Sequence, residues 1–338
     1  MLNFENDYST GAHPEILRRL AETNLEPLSG YGNDKYSQSA RKKILTACGC
    51  PDGDVYFISG GTQTNAIAIS AMLQSYEGVI STETGHINSH EAGAVELTGH
   101  KVLALPHHGG KISPDELRGF LSDFYNDKNH EHMVFPGMVY ISHPTEYGTL
   151  YTKAELGEIS GLCRQYSIPL FVDGARLGCG LAAGEVKLPD LARLCDVFYI
   201  GGTKSGALCG EAVVFPNGAP PRFMTVLKQR GALMAKGRLM GVQFDALFTD
   251  NLYFKLGRRA VELAERLKTV LSDSGYEFAW ESPTNQQFII MDNEDVERLE
   301  KDVVFSFWEK LDENRTVVRF VTSWSTDPED IERLRELL

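Results

Sequence analysis

The chain has no apolar stretch approaching the ~20 residues that a membrane-spanning helix needs. Its first residues, MLNFENDYSTGAHPEIL, place acids and polar side chains where a secretory leader carries basic residues and then an apolar run. A soluble, cytoplasmic protein with no membrane partner is expected. Basic charge is also in short supply: 33 Lys+Arg against 46 Asp+Glu give a formal net charge of −13. DNA and anionic membranes bind to a positive face, so no nucleic-acid partner is expected, whereas a small anion held by a few local donors remains allowed. Cysteines number six (Cys48, Cys50, Cys163, Cys179, Cys195, Cys209). They form no paired CxxC and stand beside no histidines at ligand spacing, so neither a disulfide framework nor a metal site is expected. Repeats and low-complexity tracts are missing too.

What is present is ordinary globular material, 42% hydrophobic and 23% charged over 338 residues, a length that predicts two or more domains. Short apolar runs read as strands at Val55–Ser59, Val79–Ser81, Lys101–Leu105, Met138–Ser142, Leu170–Asp173, Val197–Ile200 and Glu211–Phe215. Helical patterns lie between them. Thr64–Leu73 is small and apolar all round, Ser113-Pro-Asp-Glu116 reads as an N-cap with proline at the first helical position, and Leu156, Ile159 and Leu162 keep helical spacing within Thr152–Tyr166. Such alternation predicts an α/β fold with a mostly parallel sheet between helices. Near residue 245 the character changes to a long helix, Leu252–Leu271, two strand-like pieces, Gln287–Met291 and Thr316–Thr322, and a closing helix, Pro328–Leu338. The expected division is a large domain over 1–245 and a small α+β domain over 246–338.

Three segments share one design, an apolar strand that runs straight into small, polar or charged residues. In a parallel sheet these positions fall at the carboxyl edge, where ligands bind. In Val55-Tyr-Phe-Ile-Ser-Gly-Gly-Thr-Gln-Thr-Asn65 the glycines permit a tight turn, and the following helix start offers free N–H groups and a positive dipole end to an anion. Alone, such a helix start is more often just a turn with a cap. In Pro169-Leu-Phe-Val-Asp-Gly-Ala-Arg176, Asp173 ends a strand, either as a helix-capping acid or facing a cleft, with Arg176 in reach. In Val197-Phe-Tyr-Ile-Gly-Gly-Thr-Lys-Ser-Gly-Ala207, Lys204 ends a strand among small residues, where burial would lower its pKa and favour Schiff-base chemistry. Together the anion cradle, the Asp and the Lys supply three fixed points for pyridoxal phosphate: its phosphate, its ring nitrogen and its aldehyde carbon.

With Tyr31-Gly-Asn-Asp34, Gly60-Gly-Thr-Gln63, Thr84-Gly-His-Ile-Asn-Ser-His-Glu-Ala-Gly93, Asp173-Gly-Ala-Arg-Leu177 and Thr203-Lys204 in this order, the chain resembles the threonine aldolase and β-eliminating lyase branch of the fold type I pyridoxal-phosphate enzymes. The resemblance runs from Asn6-Asp-Tyr-Ser to Arg319-Phe-Val-Thr322. It implies that Lys204 carries the cofactor, that Asp173 pairs with the ring nitrogen, and that Gly61, Thr62 and Gln63 cradle the phosphate. It also implies that His86 stacks on the ring, that Arg176 and Arg319 approach the substrate carboxylate, and that Asn6 and Tyr31 line the substrate pocket. The N-terminal segment, about 1–25, would then contribute to the site. A homodimer or homotetramer with shared active sites is implied as well.

Two stretches depart from the family pattern. In the loop Ser142-His-Pro-Thr-Glu-Tyr-Gly-Thr149, Glu146 takes the place of a common histidine, with His143 three residues away. Glu146 can serve as the base if burial raises its pKa. In Lys228-Gln-Arg-Gly-Ala-Leu-Met-Ala-Lys236, where relatives carry a Gly-rich turn, Lys228 or Lys236 either serves the phosphate across a subunit boundary or forms a solvated face. The leading expectation is a lyase that splits a β-hydroxy-α-amino acid of the threonine type into glycine and an aldehyde, with His86 or Glu146 as base. The alternatives are β-elimination, transamination, or a non-catalytic protein that keeps the fold.

Overall fold

A computed structural model describes residues 1–338. Seven strands form the main sheet: β1 (Asp54–Ile58), β2 (Glu77–Thr82), β3 (Val102–Leu105), β4 (Phe135–Ser142), β5 (Leu170–Asp173), β6 (Val197–Gly201) and β7 (Glu211–Phe215). Their spatial order is β1-β7-β6-β5-β4-β2-β3. Only β7 runs against its neighbours β1 and β6; the remaining pairs are parallel. Each strand therefore falls where an apolar run was expected, because a sheet covered on both faces needs apolar side chains in both parities. The alternation is visible in the packing. Val139 and Ile141 join one core with Val172, Phe198 and Val214, whereas Met138 and Tyr140 join another with Phe171, Tyr199 and Val213.

Helices cover both faces. Helix α1 (Gly61–Met72) follows β1 directly, and its N-cap, Gly60, provides no side-chain cap. Helix α2 (Pro114–Asn126) starts with proline in its first turn, as the sequence signals. Helix α3 (Lys153–Tyr166) opens with a capping box, in which the Thr152 hydroxyl accepts from the Glu155 amide at 3.1 Å and the Glu155 carboxylate accepts from the Thr152 amide at 2.7 Å. Helix α4 (Arg238–Leu247) runs through residue 245, and its Phe244, Ala246 and Leu247 are buried in the core of the main sheet.

The C-terminal part is built on a four-stranded antiparallel sheet, β8 (Glu277–Phe278), β9 (Gln286–Asp292), β10 (Ser306–Lys310) and β11 (Arg315–Val321), in the order β10-β11-β9-β8. Helix α5 (Leu252–Asp273) joins the two parts. Tyr253 and Leu256, at its start, pack in the large core, whereas Leu263, Leu267, Val270 and Leu271 pack under the small sheet with helix α6 (Pro328–Leu337). At the crossover Gly257 lies against Gly178, and a Cβ on Gly257 would collide with the Gly178 backbone. The N-terminus crosses as well: Leu2–Asn3 pairs in parallel with Val303–Val304, and Leu2 and Phe4 belong to the small core. No helix is long and apolar enough to cross a membrane.

Candidate active site

A cleft of about 820 Å³ opens where the strands of the main sheet end. Its floor is supplied by the segments that leave four parallel strands, Ser59–Thr62 after β1, Glu83, Thr84 and His86 after β2, Ala175–Arg176 after β5 and Thr203–Lys204 after β6, and the loop after β4 adds Glu146 to the lining. The opposite wall comes from the small sheet, through Gln286, Ser306–Glu309 and Arg319. A parallel sheet gathers its strand ends at one edge, so residues more than a hundred positions apart meet there.

The floor is densely hydrogen-bonded. Asp173 is 3% exposed and lies just beneath the lining residues. Its Oδ1 accepts from the Ala175 amide at 2.9 Å and the Tyr199 hydroxyl at 2.5 Å, and its Oδ2 from the Tyr140 hydroxyl at 2.5 Å and Asn65 Nδ2 at 3.1 Å. Burial opposes its ionisation, but the neighbouring His86 and the donors Tyr140, Tyr199 and the Ala175 amide hold the carboxyl below its ordinary pKa. Asn65 also donates to Glu91 at 2.9 Å, and burial pushes that second carboxyl up to about 7. Beside them is the exposed start of α1. The first intrahelical bond of this segment runs from the Thr64 amide to the Gly60 carbonyl, so the amides of Gly61, Thr62 and Gln63 point out of the helix with no capping side chain. Gly61 and Thr62 line the cleft, whereas the Gln63 side chain turns aside to Ser59 and to the Arg230 carbonyl.

Lys204 lies in the loop between β6 and β7 and forms no ion pair; its Nζ lies 5.8 Å from the centre of the Tyr8 ring. Burial and the Arg176 charge lower its pKa against the opposing pull of Asp7, Asp173 and Glu211. Arg176 is held by Asp7, which accepts from Nε at 2.7 Å and Nη2 at 3.1 Å and also from Asn285 at 2.9 Å. Asp7 thus takes Nε and Nη2, which leaves Nη1 as the Arg176 nitrogen without a carboxylate partner. Arg319 differs. It stands in β11 between β9 and β10, opposite Phe288 on one side and Ser306 on the other, so it is a central-strand residue and no edge charge. Its guanidinium donates to Gln286 at 3.1 Å and to Ser306 at 3.3 Å and sits 5.5 Å from the centre of the Trp308 ring. It has no carboxylate partner, and its buried Nε is unpaired. Burial, reinforced by Arg176, lowers its pKa to about 10.

Glu146 follows the same logic as an acid. Its Oε1 accepts from the Ser142 hydroxyl at 2.6 Å and lies 4.0 Å from His86 Nδ1, and its buried Oε2 has no partner. Burial raises its pKa to about 7 despite the Ser142 hydrogen bond. His86 starts the short helix His86–Ser89 and lines the cleft, and burial lowers its pKa to about 4. His143 lies away from the cleft: it is fully buried, and its Nδ1 accepts from the Tyr151 amide at 3.4 Å.

Besides Gln63, two expected site residues are not brought to this cleft. Asn6 turns its side chain onto the residues that follow it, accepting from the Tyr8 amide at 2.9 Å and from the Ser9 hydroxyl at 2.9 Å, and Tyr8 lines the cleft in its place. Tyr31 lies 44% exposed in a separate apolar groove with Tyr56, Phe57 and Met224, where Lys228 Nζ is 4.9 Å from its ring centre. The sequence reading also missed residues that the site depends on. Tyr140 and Tyr199 are themselves buried within strands, and a buried tyrosine hydroxyl needs a partner, which was the available signal. Asp7 follows Asn6 directly but carried no separate cue. Trp308 and Tyr147, stacked edge-on with centroids 5.5 Å apart, form an aromatic corner that only the tertiary fold creates.

Comparison with known proteins gives a consistent result. A family model described as beta-eliminating lyase matches residues 3–294. The low specificity L-threonine aldolase of Pseudomonas aeruginosa is 31% identical over 349 residues, spanning 99% of this chain and 95% of that protein. A solved structure of a Leishmania major threonine aldolase is 44% identical with a TM-score of 0.96, covering 100% of this chain and 98% of that one. The histidinol-phosphate aminotransferase of Clostridium acetobutylicum shares the fold alone, with a TM-score of 0.75 at 13% identity over 100% of this chain and 98% of that one.

Proposed function

The chain belongs to the beta-eliminating lyase family, and from that premise we infer that it is a pyridoxal-phosphate enzyme that splits a β-hydroxy-α-amino acid of the L-threonine type into glycine and an aldehyde. The observation that carries this reading is one cleft lined by an unpaired lysine, a buried arginine with no counter-ion and a carboxyl with an unpartnered oxygen.

The residues present suit the cofactor. The uncapped start of α1 offers its amides and the Thr62 hydroxyl to a phosphate, the ionised Asp173 suits a protonated ring nitrogen, and Lys204 suits the aldehyde carbon. When bound, pyridoxal phosphate supplies an electron sink for the pair released from the Cα–Cβ bond. Arg319 binds the substrate carboxylate through the guanidinium face that no acid of the chain occupies, and Arg176, oriented by Asp7, adds positive potential. Glu146 takes the β-hydroxyl proton at Oε2 as the aldehyde carbonyl forms and the Cα–Cβ bond breaks; Cα then regains a proton and glycine leaves. His86 would offer its flat imidazole to the cofactor ring, and its low pKa leaves it neutral at pH 7.

The large unit over 1–245 and the small one over 246–338 are proposed to act as two bodies whose join lies within α5, the large core keeping Ala246, Leu247, Tyr253 and Leu256 and the small core keeping Leu2 and Phe4, with segment 1–25 reaching the site through Asp7 and Tyr8. A cytoplasmic homodimer or homotetramer with shared active sites completes the proposal. Its support is the position of Tyr31, Lys228 and the apolar groove around them, outside the chain's own cleft. Asn6 keeps a supporting role next to Asp7. The deciding experiment is a product assay on L-threonine, L-allo-threonine and β-substituted amino acids with added cofactor. Glycine and an aldehyde in equal amounts are expected, and loss of both in Lys204→Ala. Ammonia with a keto acid would replace this reading by β-elimination, and a new amino acid from an added keto acid by transamination.

A further inference from the structure

Glu211 is a buried carboxyl lining the cleft that the reaction does not use. It opens β7, is 4% exposed, lines the cleft and forms no ion pair. A carboxyl buried without a cation is costly unless its oxygens are hydrogen-bonded, so the destination of its bonds is informative. Both go to the two residues that precede Lys204: Oε2 accepts from the Gly202 amide at 2.9 Å, and Oε1 from the Thr203 hydroxyl at 2.8 Å. Thr203 Oγ1 in turn accepts from the Gly210 amide at 3.1 Å, and the Gly202 amide is shared with the Gly210 carbonyl at 3.0 Å. The loop from Gly202 to Gly210 is thus tied at its base, with Lys204 inside it. Gly202 has no room for a Cβ, which would lie 2.6 Å from the Gly210 carbonyl and 2.8 Å from the Phe244 ring.

We propose that Glu211 is a positioning residue for Lys204, its carboxyl group clamping the Gly202–Thr203 turn so that the lysine enters the cleft in a single direction. This rests on the reading of Lys204 given above. The charged groups around Lys204 are Arg176, which disfavours its proton, and Asp7, Asp173 and Glu211, which favour it; Glu211 itself faces Lys204 and Asp173. Burial raises the Glu211 pKa to about 8, and the Lys204 charge opposes that rise. Glutamine can keep both bonds, one as acceptor and one as donor to Thr203. Alanine can keep neither.

The test compares Glu211→Ala and Glu211→Gln in the cofactor-loaded protein, reading kcat, KM and the pH titration of the visible absorbance. Glu211→Ala is expected to lower kcat roughly 10- to 100-fold through misplacement of the lysine, with KM within about twofold, and to move the absorbance titration to lower pH. Glu211→Gln is expected to restore most of kcat. Should Glu211→Ala fail to fold, Thr203→Val removes one arm of the clamp and should show the same signature in weaker form. Wild-type kcat and an unmoved titration in Glu211→Ala, or in Thr203→Val where that variant replaces it, overturn the proposal. So does an equal loss in alanine and glutamine confined to thermal stability. A wild-type protein that takes up no cofactor overturns the reading of the whole site, whereas a loaded wild type with unshifted variants overturns the clamp alone.

Discussion

The two sides of the cleft are built on opposite principles. On the floor, Asp173 receives four hydrogen bonds and Arg176 is clasped by Asp7. At the rim, Arg319 keeps an unpaired Nε and no anionic partner, and Glu146 keeps an unpaired Oε2. Asp173 and Arg176 are satisfied without a ligand; Arg319 and Glu146 are satisfied only with one. Preorganised groups suit a resident that stays through every turnover, whereas unpaired ones suit a visitor whose carboxylate and hydroxyl supply the missing bonds. The difference also separates stability from activity, because unsatisfied buried groups are destabilising and satisfied ones are costly to break.

That contrast yields a ranked set of expectations. The largest effect falls on the floor. Asp7→Ala leaves the buried Arg176 charge without its partner and should destabilise the protein by about 3–5 kcal/mol, read as a lower midpoint in urea unfolding; an unchanged midpoint would erase the distinction between floor and rim. At the rim, Glu146→Gln should lower kcat for β-hydroxy substrates roughly 10²- to 10³-fold while solvent-proton exchange at Cα of glycine continues. If exchange falls equally, Glu146 is not the β-hydroxyl base. Arg319→Leu should raise KM for amino acids roughly 10- to 100-fold, as expected for a lost charge-assisted hydrogen bond, with thermal stability equal to or above wild type. A marked loss of stability would place Arg319 with the floor. The smallest effect is in the pH profile. Glu146 acts only after losing its proton, so kcat/KM should climb with pH up to about 7 and level off above it; a profile that falls with rising pH over this range contradicts the assignment.

The floor was largely legible in the sequence and the rim was not. Asp173 and Lys204 announce themselves because each ends an apolar strand, and the parallel topology then fixes where such ends converge. Glu146 stood out only as a departure from a family pattern. Arg319, in Val317-Val-Arg-Phe-Val321, reads equally as an edge charge until both neighbouring strands are seen to pair with it. Glu211 opens a strand after glycine and looks like any strand-initiating polar residue, since nothing local shows that its carboxyl reaches back across the loop to Gly202. Tyr31 illustrates the opposite failure. Its motif points to a substrate pocket, but a single chain places it in another groove, and short-range patterns carry no information about what a second copy brings. His143 sits three residues from Glu146 yet faces the core, a matter of loop path that spacing alone does not set.

The crossing of Gly257 on Gly178 gives α5 a role beyond linking two cores. With no side chain at either position, two backbones touch at the point where the helix leaves one core for the other. The helix that leaves this contact carries Leu263, Leu267, Val270 and Leu271 beneath the sheet that holds Arg319. A methyl group at Gly257 would press into the Gly178 carbonyl oxygen, so one of the two backbones would have to give way at a position remote from the chemistry.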